Sequence, residues 1–123
     1  MHKIGMYPLA DKVGPISVAD GVANVSVDGQ ELHIVDVTQP QLPRLIQTLQ
    51  LPGPITDLEA VGQRLYVASG KAGLFVLDTT NPRRPLAVGR FDTPDFAAAL
   101  AITSESLFVA DRLGGLWAIT LPD

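Results

Sequence analysis

The chain contains no cysteine and only two histidines. The first absence excludes disulfides and thiolate metal sites, and it leaves the redox compartment open, because such a chain suits reducing and oxidising surroundings alike. His2 and His33 have no second ligand at a useful spacing, so neither reads as a metal site or a catalytic imidazole. Long apolar runs are missing too. Nothing reaches the roughly 18 consecutive apolar residues that span a bilayer. The opening "MHKIGMYPLADKVGPISVADG" lacks the uninterrupted apolar core of a secretory signal, so a cytoplasmic location without a membrane partner is expected. Nine basic residues stand against thirteen acidic ones, a net charge of −4, and apart from Arg83 and Arg84 the basic ones are scattered. A nucleic-acid partner is not expected, since such binding is driven by many Lys and Arg contacts on one face. Neither "GxGxxG" nor "GxxxxGK[ST]" occurs, so the glycines of "SGKAG" and "RLGG" read as hairpin turns rather than a phosphate cradle.

What is present is a repeat. Across 123 residues, 46% of them hydrophobic and 18% charged, one unit is written almost three times. That length and composition fit one domain with a real core and argue against disorder. "LHIVD" at 32–36 recurs as "LFVLD" at 74–78 and "LWAIT" at 116–120, a spacing of 42 each time. Pro40 and Pro43 match Pro82 and Pro85 at the same offset. "LYVAS" at 65–69 recurs as "LFVAD" at 107–111, with the weaker "ANVSV" at 23–27 before it. "IGMY" at 4–7 lies 84 residues ahead of "VGRF" at 88–91. A period of this length marks a repeat architecture.

Within each unit, short alternating runs are broken by Gly, Pro, Asp and Asn, the pattern of brief strands joined by turns. In the middle copy they fall near 57–61, 65–69, 73–77 and 86–91. Four short antiparallel strands per period is a propeller blade. "PDFAAALAITSESLFVA" could pass for a capped helix, with Asp95 ahead of an alanine-rich run. Its counterparts "GPITDLEAVGQRLYVA" and "GPISVADGVANVSV" carry β-branched residues and a glycine where a helix would be continuous. Residues 98–103 are therefore expected to form a strand.

The fold expected is all-β and a single domain over 1–123, with blades at 15–50 and 57–92 and a partial blade at 98–120. Residues 3–7 hold the phase of an orphan fourth strand, and 98–120 supply the first three strands of a blade. A ring ordinarily takes at least four blades, so closure within one chain is implausible. The expectation is a two-fold homodimer of six blades in which each chain's first strand completes the partner's last blade, sparing two exposed edges. The phase of the repeat favours a complete unit over a fragment of a longer propeller.

Three apolar residues, an Asp and a Pro-x-x-Pro pair, in "LHIVDVTQPQLPRLIQTL" and "LFVLDTTNPRRPLAVGRF", resemble the LVIVD repeat, a family of β-propeller repeats. "LFVADRLGGLWAIT" is a third, partial match. The resemblance implies a propeller of unassigned role, of a kind often found at cell surfaces or in exported proteins. It carries no active-site motif onto this chain.

The remaining candidates are weighed against scaffold roles. Asp36 and Asp78, repeated ahead of Thr38 and Thr80, read as turn residues. His33, Phe75 and Trp117 share one repeat position and read as packing between blades. Asp57 and Glu59 are different, since their counterparts are Pro15 and Ser17 in the first copy and Ala99 and Ala101 in the last. Two apart on an innermost strand, they point to one face, and with Thr56 and Asp95 they would line an axial channel. Such an oxygen set suits a hard cation such as calcium or a basic ligand group. Arg83, Arg84 and Arg112 sit in loops and are candidates for contacting a partner protein. No nucleophile, triad or opposed carboxylate pair stands out, so no catalytic residue is expected. The leading reading is a non-catalytic scaffold or protein-interaction module. Ligand or cation binding in the axial channel is the alternative, and a hydrolase or lyase comes last.

Overall fold

The computed structural model describes residues 1–9 and 12–121. Eleven strands run in chain order: β1 (Val13–Ala19), β2 (Val22–Val27), β3 (Glu31–Asp36), β4 (Arg44–Gln50), β5 (Asp57–Val61), β6 (Arg64–Ala68), β7 (Leu74–Asp78), β8 (Leu86–Phe91), β9 (Ala97–Ile102), β10 (Ser106–Asp111) and β11 (Gly115–Thr120). They form three antiparallel meanders of four, four and three strands, β1 to β4, β5 to β8 and β9 to β11. The alanine-rich run after Asp95 is strand β9, as its repeat counterparts require. There the β-branched residues of the sister copies fix the reading that the alanines leave ambiguous.

Turn chemistry sets the hairpins. Asp20 and Gly21 both take positive φ (52° and 76°), as do Asp28 and Gly29 (52° and 81°). Two consecutive left-handed residues twist in the sense of the flanking strands, which is why Asp-Gly is favoured there. The β3–β4 and β7–β8 loops are built alike. Asp36 Oδ1 accepts from the Thr38 amide (2.9 Å) and hydroxyl (2.6 Å), and Asp78 Oδ1 accepts from Thr80 at the same two distances. The Asp therefore starts a turn that the following proline continues.

The sheets stack face to face, with apolar side chains between them. Leu32, Ile34 and Leu51 of the first blade pack with Leu58, Leu65, Val67 and Leu77 of the second. Tyr66, Leu74 and Val76 of the second pack with Leu100, Leu107 and Val109 of the third. Strands β1, β5 and β9 lie successively side by side, and their contacts join the blades along the inner edge.

Residues 3–7 are not a strand within the single chain. The segment instead lies against the outer face of the first blade, where Tyr7 and Leu9 pack on Ala23, Val25, Val27 and Val35. A strand needs a neighbour for its backbone, and none is present at that edge of one chain.

The paired turns carry a pH signature. Hydrogen bonds from the Thr38 hydroxyl, and next its amide, hold the Asp36 carboxyl below the ordinary aspartate range; Thr80 does the same for Asp78. A lowered folded pKa gives stability that is present above the unfolded value of about 3.9 and lost as pH falls through the folded one. The double substitution Asp36→Asn with Asp78→Asn should lower the melting temperature at pH 7. That difference should close as pH falls below about 4, as checked by thermal melts across the acid range.

Candidate functional site

Three of the four polar candidates at the inner strands, Asp57, Thr56 and Asp95, are engaged with the scaffold. Asp57, the first residue of β5, accepts the Leu58 amide on Oδ1 (2.9 Å) and the Leu100 amide of β9 on Oδ2 (2.9 Å). Its carboxylate thus ties the second blade to the third. Thr56 Oγ1 lies 2.9 Å from the Ala68 carbonyl and 2.6 Å from that of Ala97, so its hydroxyl bridges the same two blades. Asp95 precedes β9, and its Oδ2 accepts the Leu113 amide (2.8 Å). Glu59 is half-buried and shares no partner with Asp57.

The structure therefore does not gather these oxygens around one point. Among the described residues, no three His, Cys, Asp or Glu side chains come together in a way that could hold a metal ion. An analogous tie joins the first blade to the second, where Ser17 Oγ accepts the Ala60 amide (2.8 Å).

The most heavily engaged carboxylate is one that sequence reasoning passed over. Asp111, at the end of β10, is 1% exposed. Its oxygens accept the Phe96 amide (2.5 Å), the Asp95 amide (3.2 Å) and the Trp117 indole N–H (3.1 Å). A buried carboxylate persists only with such compensation. Ser69 holds the same repeat position in the middle blade, where its hydroxyl donates to the Pro54 carbonyl (2.8 Å). Both side chains fasten the end of a second strand to the segment that starts the blade. The available signal was a polar residue closing an otherwise apolar run, "LYVAS" and "LFVAD".

The arginines divide into two kinds. Arg112 is engaged, with its guanidinium 3.9 Å from the Phe96 ring centroid, a cation–π stack. Arg83 and Arg84 are exposed on the β7–β8 loop. Their backbones are fixed by Asn81, whose side chain accepts the Arg83 amide and whose carbonyl accepts the Arg84 amide. The Arg83 carbonyl in turn takes a bond from Gln47 of the first blade (3.0 Å). Neither guanidinium has a partner among the described residues, so the loop presents two charges on a rigid mount.

Two consecutive blades carry an Asp-x-Thr-x-Pro turn after an apolar third strand. The LVIVD repeat profile matches residues 11–50 and 52–93. The chain belongs to the LVIVD repeat family. The third, partial copy of this LVIVD protein lies outside the matched spans, although it builds the same hairpin as β10 and β11.

No curated protein sequence matches. Among solved structures, a chain in the crystal structure of BBS1N in complex with ARL6DN, soaked with lead, is similar at 19% identity and a TM-score of 0.75. The match covers 93% of this chain and 35% of that one. BamB from Moraxella catarrhalis is similar at 9% identity and a TM-score of 0.70, over 86% of this chain and 30% of that one. The computationally designed Ika4 protein is similar at 5% identity and a TM-score of 0.62, over 99% of both chains. At these identities the likeness speaks for the fold. The LVIVD protein spans about a third of the length of the first two chains.

Replacing Asp111 with Ala would leave three donors, the Asp95 and Phe96 amides and the Trp117 indole, without their acceptor at once. The expected cost is about 2–4 kcal/mol of unfolding free energy, with Asp111→Asn less damaging, measured by urea denaturation. A loss within experimental error would show that the buried network does not hold the third blade in place.

Proposed function

We propose that this LVIVD-repeat protein is a non-catalytic protein-interaction platform, and that two copies of it complete one six-bladed β-propeller. The observation that carries the reading is the contrast between equivalent positions. Leu32 and Leu74, one repeat apart, are 0% and 2% exposed, whereas the third copy's Leu116 is 72% exposed. Leu58 and Leu100 are 3% and 9% exposed, whereas the first copy's Ile16 is 60% exposed. Each end of the three-blade stack thus bares an apolar position that is buried wherever a neighbouring blade exists. Propellers of four to eight blades cover such faces by closing the ring. Three blades per chain and a two-fold axis give six.

Asp57, Thr56, Asp95 and Asp111 are spent on groups of the scaffold itself. Arg83 and Arg84 are the groups free to recognise something, and planar guanidinium forks favour the carboxylates of a partner protein.

Light scattering after size exclusion, run over a range of concentrations, tests the architecture. A mass of about twice the 13.1 kDa chain is expected, and a value of 13.1 kDa at micromolar protein would overturn the ring. The surface is tested separately by crosslinking in native extract. Arg83→Glu with Arg84→Glu should keep the mass and lose a protein partner captured by the wild type. A partner set untouched by the reversal would remove the arginines from the binding surface.

A further inference from the structure

We propose that the groove along the free edge of β11 is a strand-accepting slot, and that residues 2–7 of a second copy fill it as an antiparallel strand of defined register. This rests on the two-copy reading above and adds to it the occupant and the pairing.

The slot is visible as unfilled space. A groove of about 370 Å³ is lined by Leu74, Val76 and Phe91 of the middle blade and Leu107, Ile119 and Leu121 of the third. Along the corresponding edge of the middle blade, β8 is hydrogen-bonded to β7. The unpaired amides and carbonyls of an edge strand template the addition of another.

The register follows from the two complete blades, which agree position by position. In the first, β3 pairs with β4 as Leu32 with Leu49, His33 with Thr48 and Ile34 with Gln47, then shifts at a bulge to Val35 with Leu45 and Asp36 with Arg44. In the second, β7 pairs with β8 as Leu74 with Phe91, Phe75 with Arg90 and Val76 with Gly89, then shifts to Leu77 with Ala87 and Asp78 with Leu86. Moved on by one repeat, the same pattern sets Leu116 opposite the partner's Tyr7, Trp117 opposite the partner's Met6 and Ala118 opposite the partner's Gly5. The partner's Ile4 takes the bulge. Ile119 and Thr120 then face the partner's Lys3 and the partner's His2.

The occupant is already in place at the other end of each chain. Tyr7 stands edge-on to His33 with ring centroids 6.1 Å apart, and its hydroxyl meets His33 Nδ1 at 3.2 Å. Phe91 and Trp117, 84 residues further on, stand 6.2 Å apart. Tyr7 and Leu9 rest on Ala23, Val25 and Val35, as Leu49 and Leu51 rest on Leu65, Val67 and Leu77 one repeat later. Gly5 matches Gly89, and a Cβ at Gly5 would collide with the Pro40 carbonyl. The segment therefore sits where the fourth strand of a preceding blade would sit, lacking only a third strand beside it. β11 is such a third strand, and none of the described strands pairs with its far edge. Within one chain the two ends would have to meet in a three-bladed ring, tighter than any of ordinary size. A second copy joins both ends without rearrangement, which keeps the ordering cost of association low.

Because the chain lacks cysteine, a single engineered pair reports the register. Met6 and Leu116 are exposed in one chain, whereas Trp117 donates to Asp111 and Tyr7 meets His33, so each pair is read on protein whose thermal melt under reducing conditions is cooperative. Neighbouring cross-strand pairs alternate between wider and closer spacing, and the closer kind suits a disulfide. At least one of Met6→Cys with Trp117→Cys and Tyr7→Cys with Leu116→Cys should give a covalent dimer on a non-reducing gel. The shifted control, Met6→Cys with Leu116→Cys, places the thiols on opposite faces and should not.

A disulfide-linked monomer would overturn the proposal in favour of closure within the chain. A dimeric mass without either crosslink would overturn the slot while leaving the two-copy ring standing, whereas a monomeric mass would remove both. Hydrogen exchange on the wild type needs no variant. Slow exchange of the β11 amides that point away from β10 supports the added strand, and exchange of these amides as fast as in the exposed loops refutes it.

Discussion

A sheet with apolar side chains on both faces must be covered on both faces, and this requirement governs the whole chain. The middle blade meets it, with Leu65 and Val67 turned towards the first blade and Leu74 and Val76 towards the third. The third blade meets it on one side only, and the first meets it in part on its outer side, where Tyr7 and Leu9 cover Ala23, Val25, Val27 and Val35 but leave Ile16 bare. Area removed from water contributes about 25 cal/mol per Å², so each uncovered face is a standing drive towards another blade. Edge strands impose a second demand of the same kind, because an unpaired backbone group is left to solvent or to another chain. The two demands coincide on the third blade, where β11 is an edge strand and carries the exposed Leu116.

Much of this was legible in the sequence because repetition multiplies weak signals. No single run such as "LFVLD" separates a strand from a buried helix segment. Its return 42 residues from "LHIVD", each followed by the same turn chemistry, does separate them. The alanine-rich stretch that becomes β9 shows the gain, since its local composition leans towards helix and only its sister copies oppose that. The Asp-Thr turns were legible for the same reason, being short-range structures whose partners lie two residues away.

The candidate site was less legible because its partners are distant. Asp57 breaks the repeat, and its Oδ2 accepts an amide 43 residues away on β9. Nothing in a local pattern tells a channel carboxylate from one that binds a backbone amide of the next blade. Asp111 was hidden differently. It closes an apolar run beside a turn, where an aspartate is ordinary, and only the fold carries the Phe96 amide and the Trp117 indole to it.

The repeated and the unrepeated residues therefore do different work. Repeated positions build a blade: the apolar strands, the Asp-Thr turns and the prolines. Unrepeated polar positions join one blade to the next, and each junction has its own set, Ser17 to the Ala60 amide at the first and Asp57 with Thr56 at the second. Distinct ties at each junction give a blade stack its order, since a blade in the wrong place would meet an unpaired polar group. The third blade carries Ala99 and Ala101 where the second has Asp57 and Glu59, and both alanines are exposed. Its outer face offers no comparable polar tie, so whatever covers it must be held by apolar contact and by strand pairing along β11. Those are the two interactions that a second copy, with its bare Ile16 face and its waiting N-terminal segment, is built to supply.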